Sequence, residues 1–256
     1  MGLSTLTKKY IVAATGFFLF LFLIGHMAGN LLLYRGQDAI NTYGEKLKDT
    51  GPLLWAARLG LLALLAVHLY FTISLSQMNE AARKTRYAAG FKPKASTVSS
   101  RSMLITGFVV LAFLIYHLAH FTLYWTNPEY GTYAEQIKDG HSRHDVYRMV
   151  TDAFNRPVVV LIYLLAMAVV FTHLAHGVSS LFQSWGLSNF KWARFRERAT
   201  PVVVGLLIAG FLSVPVGVML GLIKRDPKGP GGSQYAVEKK VKDEGRSVTV
   251  SGTPHP

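Results

Sequence analysis

The chain reads as an all-α integral membrane bundle of five transmembrane helices. Two observations give this class. Of its 256 residues, 50% are hydrophobic, and the mean hydropathy is positive, +0.28. Only 16% are charged, against roughly 25% in ordinary soluble domains. The apolar residues are also gathered into five runs, each long enough to cross about 30 Å of hydrocarbon as helix.

The runs cover approximately 9–34, 53–77, 102–125, 157–182 and 201–223. The first follows Lys8 and Lys9, as a secretory signal does, but it is too long for a signal core and four more spans follow. The bundle is thus expected over 1–223. Residues 224–256 are rich in Pro, Gly and Lys and read as a disordered polar tail.

Loop charges orient the spans. Lys8 and Lys9 precede the first. The second loop, 78–101, carries Arg83, Lys84, Arg86, Lys92, Lys94 and Arg101 against Glu80. The fourth, 183–200, carries Lys191, Arg194, Arg196 and Arg198 against Glu197. The first and third loops, 35–52 and 126–156, mix acids and bases. The N-terminus and the second and fourth loops are therefore expected in the cytoplasm. The net charge of +13 belongs to these loops, and no nucleic-acid partner is expected. Cysteine is absent. The chain cannot form a disulfide, present a thiol or bind an iron–sulfur cluster through thiolates.

A repeat points to function. TGFFLFLFLIGH, residues 15 to 26, returns as TGFVVLAFLIYH, residues 106 to 117, with seven of twelve positions identical and a histidine closing each copy. Gly16 and Gly107 stand ten residues before their histidine, where a missing side chain permits close approach of a porphyrin edge or a neighbouring helix. His68 lies on the second span, His117 and His120 on the third, His173 and His176 on the fourth. His141 and His144 fall in the third loop, and His255 in the tail.

A rise of 1.5 Å per residue gives depths. His26 and His117 lie about 25 and 22 Å along outward-running helices, in the outer half of the bilayer. His68 and His173 lie about 22 and 24 Å along inward-running ones, in the inner half. Two pairs separated by about 10–15 Å are expected. Each suits a haem held between two imidazoles, which leaves no open coordination position and limits the iron to electron transfer. The outer pair is His26 and His117, the inner pair His68 and His173. His120 and His176 each follow a ligand candidate by three residues and share its helix face. Either can replace its neighbour; the other roles are bonds to a propionate, a quinone or the backbone. The competing readings are a divalent-metal site and a proton relay. A zinc site draws several ligands within about 2 Å of one ion, which two separated tiers fit less well.

Arg58, beside Trp55 at the outer end of the second span, is a candidate for a haem propionate, a quinone or a snorkelling position. Ser4, Lys8, Lys9 and Arg101 fall near the inner haem's expected edge. Trp125, Tyr34, Tyr70 and Tyr124 read mostly as interfacial belt residues. No residue is placed in a catalytic role.

LIGHMAGNLLLY through INTYGEKL, then WAARLGLLALLAVHLY, FLIYHLAH and FTHLAHGVSSLFQSWG, together resemble the dihaem, five-helix b558-type cytochrome b subunit of succinate dehydrogenase and fumarate reductase. The likeness covers roughly residues 4 to 222. It implies two haem b groups with His26, His68, His117 and His173 as axial ligands. It also implies a bacterial cytoplasmic membrane, with flavoprotein (FAD) and iron–sulfur subunits docked on the basic cytoplasmic face and menaquinone as the usual electron partner. Dicarboxylate chemistry would belong to the partners; electrons would run from them through the inner and outer haems to quinone, or the reverse in a fumarate reductase. The alternative outside this class is a non-redox metal or proton transporter lined by histidines. One departure stands out. Some two-haem members carry a glutamate two residues before the fourth-helix ligand, proposed to move protons. Here that residue is Phe171, so that proton route is not expected.

Overall fold

A computed structural model of the chain describes residues 3–81, 98–137, 140–186 and 190–224. Most of the second loop and the tail beyond Lys224 lie outside these residues. So do the expectations placed on Arg83, Lys84, Arg86, Lys92, Lys94 and His255, and nothing is described of the side chains of Arg101 and Lys191.

Among the described residues, five helices are long and apolar enough to cross a membrane. The first, α1 (Thr5–Asn30), starts where the Ser4 hydroxyl accepts from the Thr7 amide, satisfying one of its unpaired N–H groups. A 3-10 turn, Leu31–Arg35, follows. At Gly36 the backbone takes φ +96°, a left-handed value that glycine adopts at no steric cost, and the chain turns into the short α2 (Gln37–Asp49). The long α3 (Pro52–Ala81) runs back, and α4 (Val98–Phe121) crosses again. A two-stranded antiparallel hairpin, β1 (Ala134–Gln136) and β2 (Ser142–His144), leads into α5 (Val146–Phe154). Then α6 (Pro157–Ser184) begins on a proline whose missing N–H costs nothing at that position. Last, α7 (Phe190–Met219) carries Pro201 and Pro215 inside it.

Two differences from the sequence reading stand out. The fourth loop, expected over 183–200, becomes helix from Phe190 onward. Its basic residues extend α7 beyond the apolar run, because Arg and Lys are good helix formers. The first and third loops are not plain connections either. They fold together as a cap over one end of the bundle, built from α2, the hairpin and α5.

Arg143 on β2 holds the cap. Its Nε donates to Glu135 at 2.8 Å, one Nη to Asp38 at 2.8 Å and the other to Thr42 at 2.6 Å. Asn41 donates to Glu135 and to Asp145, and its own Oδ1 accepts from the Tyr147 amide. Arg143, Glu135, Asn41 and Asp145 are all buried, so each buried charge has partners, as burial requires. Beneath the cap lies the larger apolar core, with Leu33, Tyr130, Phe154, Tyr163 and Val214 among its members.

Within the bundle, α6 packs on α7, α1 on α3 and α4 on α6, while α3 meets α4 only lightly. Glycine permits the close crossing of α1 and α7. A Cβ at Gly210 would meet the Met27 sulfur at 2.7 Å, and one at Gly217 the Tyr34 hydroxyl at 2.6 Å. Tyr34 donates to the Ser213 carbonyl at this crossing. By contrast, the most apolar stretch of α3 contains no buried residue. Apart from its contact with α1, its surface is open, as suits a helix in an apolar medium.

Candidate functional site

The repeat has a geometric meaning that its letters do not carry. Each Thr–Gly dipeptide packs against the histidine of the following long helix. On α1, Thr15 Oγ1 lies 3.1 Å from His68 Nδ1 on α3. A Cβ at Gly16 would stand 3.2 Å from His68 Cε1. On α4, Thr106 Oγ1 lies 3.3 Å from His173 Nδ1 on α6. A Cβ at Gly107 would stand 3.4 Å from His173 Cε1. Gly16 thus admits the imidazole itself, and Gly107 lies in contact with its counterpart.

These contacts fix heights. His68 is level with Gly16, and His26 stands ten residues further along α1, about 15 Å at the helical rise. His173 is level with Gly107, and His117 stands ten residues further along α4, again about 15 Å. Two tiers result, one at the capped end and one at the far end.

At the capped end, His26 and His117 meet edge-on with ring centroids 5.8 Å apart and planes at 82°. Two imidazole nitrogens each about 2 Å from a common metal stand about 4 Å apart, with ring centres further apart by about one ring's width. The observed spacing is near that value. In the far tier, His68 and His173 each sit in a Thr–Gly seat at the same level. The structure thus brings His26 and His117 into ring contact and sets His68 and His173 at one height. All four rings are half-buried among apolar side chains; His26 stacks on Phe22 and leans on Phe211. Neutral imidazoles in apolar walls, two to a tier, are a donor set that suits haem. Among the described residues no group of three or more His, Asp or Glu gathers as a polydentate metal site requires.

His120 is buried, 1% exposed, and lies beside the capped-end pair rather than in it. Its Nδ1 is 3.2 Å from the Tyr163 hydroxyl, which is also 3.3 Å from His117 Nδ1. Among the described residues its Nε2 has no partner. His176 lies within electrostatic range of His173. Arg58 is exposed and lays its guanidinium over Trp55, 5.2 Å from the ring centre, a geometry that matches snorkelling. Lys8 donates to Ser74 at 2.8 Å, while Ser4 caps α1. His141 contacts Glu45 and His144 contacts Tyr124, both in the cap.

Sequence reading missed Thr15, Thr106 and Tyr163. The threonines had a signal, as the opening letters of both repeat copies; Tyr163 had none.

Comparison of the chain with protein-family models, curated proteins and solved structures gives no match.

Proposed function

We propose that this chain is the membrane-anchor cytochrome b subunit of a succinate:quinone oxidoreductase, carrying electrons between a partner iron–sulfur subunit and menaquinone. The observation that supports it most is the placement of four histidines from four helices at two levels, two to a level, about 15 Å apart along the helices.

His26 and His117 would hold one haem b, and His68 and His173 the other. A haem held between two imidazoles supplies one-electron transfer and offers no site for oxygen or substrate. The chain's own residues do the rest. The histidines bind and set the spacing. Thr15, Thr106 and Tyr163 orient three of the four rings through Nδ1. The apolar helix faces exclude water, which keeps the imidazoles neutral and able to coordinate. Lys8, Lys9, Arg194, Arg196 and Arg198 lie on the end away from the cap, which is read as cytoplasmic and as the docking face for the iron–sulfur and flavoprotein subunits. Dicarboxylate chemistry belongs to those partners. The membrane is read as the bacterial cytoplasmic membrane.

An absorbance spectrum of the purified chain tests this reading. Dithionite reduction is expected to give b-type bands from two haems. His68→Ala or His173→Ala should remove one component, and His26→Ala or His117→Ala the other. A colourless protein, with its histidines free to bind a divalent cation or relay protons, overturns the reading. Loss of the same component from His26→Ala and His68→Ala overturns the pairing.

A further inference from the structure

The Thr–Gly seats say more than where two rings lie. Thr15 Oγ1 is 2.8 Å from the Ile11 carbonyl and 3.1 Å from the Val12 carbonyl on its own helix. Thr106 Oγ1 is 3.0 Å from the Met103 carbonyl. A carbonyl oxygen only accepts, so each hydroxyl proton has an acceptor in the preceding turn, the usual habit of threonine in an apolar helix. A hydroxyl that spends its proton there presents a lone pair to the imidazole, so the ring nitrogen must donate. The same arrangement stands at His68 and at His173.

We infer that Thr15 and Thr106 are positioning residues that lock His68 and His173 in the Nδ1–H tautomer, so that Nε2 keeps its lone pair for a metal. This rests on the proposed haem function but does not need a haem to exist, because the lock is a property of helix pairs α1–α3 and α4–α6. Gly16 completes its seat, since a Cβ there would press on the His68 Cε1, while a Cβ at Gly107 would only touch the His173 Cε1. The capped-end tier is built differently: His117 meets a phenol that it shares with His120. The threonine lock is thus specific to the far tier. An acceptor on Nδ1–H makes the imidazole a stronger donor through Nε2. A stronger donor favours the ferric over the ferrous iron, and such hydrogen bonding is one of the protein's levers on haem potential.

The test uses the full-length chain with Thr15→Val and Thr106→Val, which keep shape and remove the hydroxyl, and Thr15→Ser and Thr106→Ser, which keep the hydroxyl. In potentiometric titrations followed by absorbance, each valine variant is expected to shift the midpoint of the haem lost in His68→Ala upward. The other haem should stay at its wild-type value, and serine should restore the first. Unshifted midpoints in both valine variants, or an equal shift of both haems, overturn the inference. If the wild-type chain binds no haem, the proposed function fails, and nitrogen-15 spectra of the histidine-labelled chain in detergent decide the lock alone. Rings at His68 and His173 protonated at Nδ1 in the wild type, and not in the double valine variant, support it. Spectra unchanged by the double substitution, or wild-type rings at His68 and His173 protonated at Nε2, overturn it.

Discussion

Tyr163 has one hydroxyl proton and two imidazoles to serve. If His117 donates from Nδ1 to the phenol oxygen, the phenol proton goes to His120. With Tyr163→Phe both rings lose their contact. His120, already without a partner on Nε2, is then buried with neither nitrogen paired. An orphaned buried polar group costs about 1–3 kcal/mol. The variant is expected to melt below the wild type in the same detergent, and an unchanged Tm would mean that His120 is not held by this bond. The four span histidines at the two levels were legible because an imidazole in an apolar run is conspicuous and the repeat aligned two of them. The threonines were legible only as letters, since the ring each one holds belongs to another helix. Tyr163 was not legible, because tyrosines near span ends are ordinary in membrane helices.

The cap is the element with the most to lose from a single change. Arg143→Ala leaves the Glu135 carboxylate buried without its cation. Breaking a buried pair in this way costs about 3–5 kcal/mol. Hydrogen exchange should report lost protection in α2 and the hairpin, with the spans unaffected; retained protection would show that Asn41 alone holds the cap.

Acid acts in the same direction. Burial, helped by nearby Lys48, holds His144 below the ordinary histidine value of 6.5, against the opposing pull of Asp145 and a hydrogen bond to the Tyr133 backbone. A histidine depressed on folding contributes stability above its unfolded value, lost as pH falls below it. Asp38 sits below the usual carboxylate range because Arg143 donates to it, so its contribution also fades at lower pH. Protection factors in α2, corrected for intrinsic exchange, should fall between pH 7 and pH 5. Insensitivity over that window would remove His144 from the account. The cap pieces escaped the sequence reading because they are short and held by polar contacts between residues about a hundred positions apart.

Across the whole molecule, the two ends differ in charge. The cap mixes acids such as Asp38, Glu45 and Glu135 with Lys46, Lys48, Arg143 and Arg148, while the opposite end carries Lys8, Lys9, Arg194, Arg196 and Arg198 against Glu197. With no native cysteine, single introduced thiols report sidedness directly. In intact cells an impermeant maleimide should label Ser142→Cys and spare Lys9→Cys until the membrane is opened. The opposite pattern would invert the topology. The spans themselves were legible throughout, because only sustained apolar runs can satisfy a bilayer.

Each tier draws one ring from the α1–α3 half and one from the α4–α6 half: His26 with His117, His68 with His173. A half-molecule on its own therefore owns two solitary imidazoles at different heights and no couple. The halves are held together by the packing of α1 against α6 and α7, so a bundle whose halves drift apart would part the histidines at both levels together.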